Sequence, residues 1–205
     1  MGLKTVLGIG AAVVSTVVVA GLVTAVLLPK DFEVTRTQQM DAPAEVVWQH
    51  VSVLENHPAW SPWQAKDPST VNTYTGPEGV GHTMSWTGEV TGEGSQAITA
   101  MDPMNRVDTH LDFGDMGTAE AWLALTVVDA DTTSVTWGLS GTNDGFFGGA
   151  ISAMMDTFIG ADYEDGLSRL KEVAEGTPPP EPEPAELPPP PEVQPPGPGD
   201  LPLPG

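Results

Sequence analysis

The chain has 205 residues, no cysteine and a formal net charge of −21, from 28 acidic and 7 basic residues. This length is enough for one ordinary domain with appended segments. Without cysteine the chain has no disulfide, no thiolate nucleophile and no cysteine-based zinc site. The strong negative charge repels phosphate backbones and therefore argues against nucleic-acid binding.

The N-terminal segment contains an uncharged run of 24 residues, 5–28, rich in Val, Ala, Leu and Gly. Such a run is long enough to cross a bilayer as one helix. We predict that residues 1–30 form a transmembrane anchor, and a cleaved secretory signal is the alternative. The run is longer than the apolar core of most signal peptides, which favours the anchor. In both cases we expect an exported domain, on the periplasmic or extracellular face of the membrane.

The C-terminal segment, residues 177–205, contains 14 prolines and five acidic residues but no aromatic residue. This composition cannot bury a core, so it predicts a disordered tail with polyproline II character. The four prolines at 188–191 are a candidate ligand for a proline-recognising protein partner. A plain spacer is the simpler interpretation of the tail.

The domain between these segments, residues 31–176, opens with a strand and a helix. Loose alternation of apolar residues predicts the strand over residues 32–40. Asp41 is a candidate N-cap and Pro43 lies in the first turn of the helix that follows. Apolar residues at helical spacing continue this helix to Leu54.

The segment of residues 58–63, Pro-Ala-Trp-Ser-Pro-Trp, follows this helix and holds two tryptophans between prolines. Tryptophan brings a large apolar area and an N–H that needs a partner. A rigid segment carrying two of them is typical of the wall or lid of an apolar cavity. The alternative is that both indoles simply fill the core of a small domain.

A change of hydrophobic period to two, after Gly81, predicts a series of antiparallel strands. The predicted strands cover residues 82–87, 95–101, 106–113, 118–128 and 134–140. Apolar residues at three- and four-residue spacing then predict one long helix from about residue 146 to 174. The element order predicts an α+β fold in which a curved antiparallel sheet wraps the C-terminal helix.

Several short motifs, in this order, resemble the START-like helix-grip superfamily (SRPBCC), specifically its polyketide cyclase/dehydrase-like branch. The resemblance covers residues 32–175. It rests on Trp60-Ser-Pro-Trp63, Gly79-Val-Gly81 leading to Trp86, Gly92-Glu-Gly94-Ser95, Thr133-Ser-Val-Thr-Trp137 and Gly166-Leu-Ser-Arg-Leu-Lys171. The resemblance implies a deep cavity between the sheet and the C-terminal helix. Members bind lipids, sterols, polyketides or other apolar molecules, a few catalyse cyclisation or dehydration, and no catalytic motif is common to all.

The candidate cavity residues are aromatic side chains and methionines, which suit an adaptable apolar site. They are Trp60, Trp63, Trp86, Phe113, Trp137, Met154, Met155 and Phe158. The alternative is an ordinary filled core, in which these side chains contact one another and leave no space.

Two histidines are the candidate catalytic residues of a cyclase or dehydratase. His82 shares strand parity with Met84 and Trp86, and His57 directly precedes the tryptophan-rich segment. A structural hydrogen bond for His82 and a solvent-facing loop position for His57 are the alternatives. The histidines show no metal-ligand spacing, and no glycine-rich phosphate loop is present, so we predict neither a metal nor a cofactor.

Three functions remain open on these residues. The first is a membrane-anchored domain that binds a hydrophobic small molecule or lipid in an internal cavity. The second is a polyketide cyclase/dehydratase-type enzyme that uses His82 or His57 as acid or base. The third is an envelope interaction module without a ligand. We favour binding, because nothing beside the paired tryptophans is a convincing acid or base.

Overall fold

The computed structural model describes residues 28–178. The predicted anchor, apart from its last three residues, and the predicted tail, apart from its first two, lie outside this range. Among the described residues, no helix has the length and apolar character needed to cross a membrane.

A seven-stranded antiparallel sheet forms the body of the domain, in the order β1-β7-β6-β5-β4-β3-β2. Strands β2 to β7 follow one another as a meander, and β1 closes the order by pairing with β7. The strands are β1 (Asp31–Met40), β2 (Val71–Thr75), β3 (Thr83–Gly88), β4 (Gly92–Asp102), β5 (Arg106–Asp112), β6 (Thr118–Asp129) and β7 (Thr132–Thr142). The predicted α+β helix-grip architecture is confirmed.

The longer helices lie between β1 and β2 and after β7. The helices are α1 (Ala44–Ser52), a 3-10 helix (Leu54–Ala59), α2 (Pro62–Lys66), a three-residue 3-10 turn after β5 (Gly114–Met116), α3 (Gly148–Ser152) and α4 (Met155–Gly176). We call Leu54–Ala59 the 3-10 helix. The C-terminal helix packs one apolar side against the sheet, with Tyr163, Leu167, Leu170 and Ala174 at spacings of four, three and four residues. Helix α1 joins the same core through Val46, Val47 and Val51.

Three details of the predicted elements are wrong. The single helix over residues 146–174 is two helices, because the weakly helical Gly148 and Gly149 form a separate short helix packed against the chain near Leu28. Asp41 does not cap α1: Pro43 occupies the N-cap position and no side chain caps the helix. The edge strand β2 was not predicted, because its alternating residues are mostly polar and it pairs with β3 alone.

Candidate functional site

A cavity of about 320 Å³ lies between the helices and one face of the sheet. Residues 57–64 and α4 form one wall, and strands β3 to β7 form the other. Met116, in the turn after β5, also lines the cavity and is exposed, so the cavity reaches the surface there. An apolar cavity of roughly 150 Å³ holds one benzene molecule. The space here therefore suits a molecule of about two rings or a short acyl chain.

The tryptophan-rich segment reaches the cavity through a break between two short helices. The 3-10 helix ends at Ala59, and α2 begins at Pro62, with Ser61 as its N-cap. The Ser61 hydroxyl accepts a hydrogen bond from the backbone N–H of Gln64 at 3.3 Å. Proline is well suited to the first turn of a helix, because it has no N–H to leave unpaired there. The break places Trp60 and Trp63 on the same cavity wall.

Trp137 of β7 is the centre of an aromatic cluster on this wall. Its ring stacks on Tyr163 of α4, with ring centroids 3.9 Å apart. The edges of Trp60 and Trp63 meet it at centroid distances of 5.2 Å and 5.6 Å. The helix comes this close because Gly166 faces Trp137: a Cβ there would lie 2.6 Å from the indole ring. The cluster therefore fixes α4, α2 and β7 around one side of the cavity.

A second aromatic pair, Trp86 of β3 and Phe113 after β5, lines the opposite part of the cavity. Their rings meet edge to face at a centroid distance of 6.0 Å. The Trp86 ring lies directly over Gly94 of β4, at a position that any larger residue would obstruct. The glycine of the Gly92-Glu-Gly94 motif therefore makes room for an indole.

The cavity also contains uncharged polar groups at fixed positions. On the sheet, the Gln96 amide donates to the Thr109 hydroxyl at 3.1 Å, which leaves the Gln96 carbonyl oxygen as an acceptor. Between β2 and α2, the side-chain amide of Asn72 donates to the side-chain oxygen of Gln64 at 2.8 Å. Among residues 28–178, none hydrogen-bonds the Tyr163 hydroxyl. These groups can orient a ligand without placing a charge in the cavity.

His57 is buried and lines the cavity, so it does not occupy a solvent-facing position. Its Nε2 lies 3.0 Å from the Val51 carbonyl oxygen and donates to it, which leaves Nδ1 as an acceptor. Burial lowers the pKa of His57 from 6.5 to about 4. The imidazole is therefore neutral at pH 7.

His82 does not line the cavity. It lies just before β3, where its Nε2 is 2.8 Å from a Glu55 carboxylate oxygen. Its ring stacks on Tyr74 at a centroid distance of 6.2 Å. His82 lies on the same face of the sheet as Met84 and Tyr74, as its parity predicts. It lies beyond the end of the cavity, however, where the 3-10 helix covers this face. The side chain makes a structural contact with the 3-10 helix instead.

Five of the eight predicted cavity residues line the cavity, namely Trp60, Trp63, Trp86, Phe113 and Trp137. Met154, Met155 and Phe158 do not. Met154 and Phe158 are exposed, and Met155 packs against the edge of the core. Met154 lies at the break before α4, and Phe158 precedes Tyr163 by five residues, which places it on a different side of that helix.

The sequence analysis missed the polar lining residues and Tyr163. Thr109 has the same strand parity as Val107 and Leu111, and that signal was sufficient to place it inside. Tyr163 belongs to the apolar spacing of α4, but spacing does not separate a cavity residue from a core residue. Gln64 and Asn72 gave no signal, because short polar segments have no period.

Among the described residues 28–178, the lining side chains include only two that titrate, His57 and Tyr163, and no carboxylate or ammonium group. Burial raises the pKa of Tyr163 above its usual range, so its hydroxyl stays protonated. Within residues 28–178, no group of three or more His, Asp or Glu side chains is arranged to hold a metal ion. The cavity is therefore neutral and mainly aromatic at pH 7.

The family model described as polyketide cyclase/dehydrase and lipid transport matches residues 31–175. The chain belongs to this family. The sequence resemblance to the polyketide cyclase/dehydrase-like branch is thereby confirmed. Comparison with curated protein sequences found no match.

Solved structures share the fold of this polyketide cyclase/dehydrase family member at low identity. A Chromobacterium violaceum protein is 15% identical with a TM-score of 0.54, covering 71% of this chain and 99% of its own. A Thermobifida fusca protein is 16% identical with a TM-score of 0.54, covering 68% and 91%. Norcoclaurine synthase from Thalictrum, a mutant bound to a transition-state analogue, is 16% identical with a TM-score of 0.53, covering 69% and 94%. These likenesses establish the fold.

Proposed function

We propose that this protein binds a compact, uncharged, largely aromatic molecule in the cavity. The observation that carries the proposal is the neutral lining, in which tryptophan rings surround a few fixed polar groups. Ligand sites in proteins have this character, and their volumes are roughly 300–1,000 Å³. The cavity lies at the lower end of that range, which favours a molecule of about two rings.

The polar lining groups indicate which hydrogen-bonding groups such a ligand carries. His57 Nδ1 and the Gln96 carbonyl oxygen accept hydrogen bonds, while the Tyr163 hydroxyl can donate one. A ligand with a phenolic hydroxyl and a carbonyl group matches both kinds of partner. A carboxylate or phosphate group does not match, since no cationic side chain lines the cavity to compensate for its burial.

We also propose that residues 5–28 hold the domain at a membrane, on the exported side. The support is the uncharged run of 24 residues that ends where the described domain begins. An anchor would keep the cavity close to the bilayer, where apolar molecules concentrate. The −21 charge of the chain disfavours close contact with anionic headgroups, so we expect a mainly zwitterionic or neutral surface.

Binding is a better match to the cavity than acid–base catalysis. A general base works best when its pKa lies near the operating pH. Burial lowers the pKa of His57 to about 4, and no lining carboxylate supports it. A cyclase or dehydratase activity would therefore depend on hydrogen bonds alone, with the Tyr163 hydroxyl donating to a substrate carbonyl and His57 Nδ1 accepting from a substrate hydroxyl.

The proposal is tested with Prodan (6-propionyl-2-dimethylaminonaphthalene), a neutral two-ring probe with a carbonyl group, whose emission moves to shorter wavelength in apolar sites. We expect saturable binding with energy transfer from tryptophan. Ala121 of β6 is buried and lines the cavity, so A121L fills part of the space. We expect at least about a tenfold weaker affinity for this variant, equal to about 1.4 kcal/mol.

The matched control is A124L, which makes the same change on the same strand. Ala124 has the opposite parity and lies on the outer face of the sheet. The affinity of the A124L variant for the probe should equal that of the unmodified chain. Equal affinity in all three proteins, or no saturable binding, would contradict a cavity site.

A further inference from the structure

Five large apolar side chains are exposed together where α3 leads into α4. We call them the apolar patch, and each is between 46% and 61% exposed: Phe146, Phe147, Ile151, Met154 and Phe158. The last four are spaced by four, three and four residues, which places them on one side of the two helices. The two phenylalanine rings contact each other at a centroid distance of 4.9 Å. A contiguous exposed surface of this kind marks an interaction site.

The long apolar run of the N-terminal segment leaves the domain beside this patch. Leu28, its last residue, lies directly on Gly149 of α3, where a Cβ would clash with the Leu28 backbone. The Lys30 carbonyl oxygen accepts hydrogen bonds from the Asn143 amide at 3.0 Å and from the Ser152 hydroxyl. The point where residues 5–28 join the domain is therefore fixed to the short helix that carries the patch.

The patch carries no charge, although the chain is strongly acidic. Residues 146–155 include no charged side chain. The next residue, Asp156, is paired with Arg36 through hydrogen bonds of 2.8 Å and 3.2 Å. The pairing holds the pKa of Asp156 below its usual range. An uncharged surface is suited to lipid, whereas most of the domain surface is not.

The cavity opening lies next to the patch. Met116 lines the cavity and also lines a shallow groove at the start of β1. Ile151 of the patch lies in the same groove. Met116 is itself 78% exposed, and with Ile151 it forms an apolar part of this groove. Acidic residues also line the groove, namely Asp31, Glu33, Asp115, Glu120 and Asp144.

We propose that the apolar patch docks on the surface of the bilayer into which residues 5–28 insert, so that the cavity opens toward the lipid. This inference rests on the membrane anchor of the proposed function. Docked apolar side chains typically lie roughly 5–10 Å deep, at the boundary between headgroups and acyl chains. Ligands then pass between bilayer and cavity past Met116.

The test uses the full chain reconstituted into phosphatidylcholine vesicles. Since the natural chain has no cysteine, F158C and F147C each supply one thiol for an environment-sensitive NBD probe. The matched control is V90C, because Val90 is 77% exposed in the turn between β3 and β4, away from the patch. All replaced side chains are exposed, so the fold should be unchanged by circular dichroism.

We expect NBD at residues 147 and 158 to emit at shorter wavelength and to be quenched by lipids brominated on their acyl chains. NBD at residue 90 should be quenched only by aqueous iodide. Iodide quenching of all three probes on vesicle-bound protein would overturn the docking and leave the anchor intact. Protection of the two patch probes from both quenchers would also overturn the docking, because the N-terminal segment or a second copy of the chain would then cover the patch. Failure of the chain to stay with the vesicles would overturn the anchor and the docking together.

Discussion

Acidification should destabilise this protein through His57 more than through any other single histidine. His57 is buried in the cavity wall, and burial lowers its pKa from 6.5 to about 4 in the folded chain. The unfolded chain therefore binds a proton more readily than the folded chain between these two values. Stability that is present above pH 6.5 is lost as the pH falls toward 4.

The size of the loss follows from the two pKa values. One pH unit within this window corresponds to about 1.4 kcal/mol of unfolding free energy per proton. At pH 5, about 1.5 units below the ordinary value, His57 should cost the protein about 2 kcal/mol relative to pH 7. The choice of pH 5 keeps the chain above its isoelectric point of about 4.1 and therefore soluble.

The assay is urea unfolding of the unmodified chain and of H57Q at pH 5, 7 and 9. Glutamine does not titrate, so the H57Q variant should lose about 2 kcal/mol less between pH 7 and pH 5. Because the comparison uses differences within each protein, a general destabilisation of H57Q does not affect it. Between pH 7 and pH 9 the two proteins should change equally. Parallel losses from pH 7 to pH 5 would refute the buried, neutral His57.

Two further predictions concern packing around the cavity. G166A should lower the unfolding free energy by up to about 2 kcal/mol. Overpacking against Trp137 costs roughly 1–3 kcal/mol, and the higher helix propensity of alanine offsets about 1 kcal/mol of this cost. G176A, on the same helix with open space around its Cβ, should be neutral or slightly stabilising; equal losses would contradict the close approach. D67N should speed amide exchange at Val90 and Thr91, whose N–H groups donate to the Asp67 carboxylate at 2.7 Å and 2.9 Å. Unchanged exchange at both amides would show that this carboxylate does not hold the turn between β3 and β4.

The period-two alternation of apolar residues was the sequence signal that predicted most of the sheet. Val107, Leu111 and their neighbours alternate with charged residues, and the structure buries this side of β5. His110 has the opposite parity and lies on the outer face, with its Nδ1 2.6 Å from a Glu120 carboxylate oxygen. Parity predicts the face of the sheet but not the position along it. His82 shares the inner face with Met84, yet it lies beside Tyr74 and Glu55, beyond the end of the cavity.

The cavity was harder to predict than the sheet. A helical spacing of apolar residues is the same whether they face a core, a cavity or a lipid surface. Met155 and Ile159 precede Tyr163 at four-residue spacing, whereas Phe158 precedes it by five residues and lies on a different side of α4, in the apolar patch. Gly148 and Gly149 indicate low helix propensity at the start of the predicted long helix, but only the structure shows that Gly149 lies against Leu28 there.

The indole N–H signals of the six tryptophans test the central claim most directly, because they report where a ligand sits. We would titrate the chain with 1-naphthol, a neutral two-ring phenol, and follow these signals by heteronuclear NMR. The signals of Trp63, Trp86 and Trp137, which line the cavity, should shift in a saturable way. The signal of Trp48, which packs outside the cavity, should not move. Saturation with shifts confined to Trp48, or no shift at any tryptophan, would contradict a ligand site in this cavity.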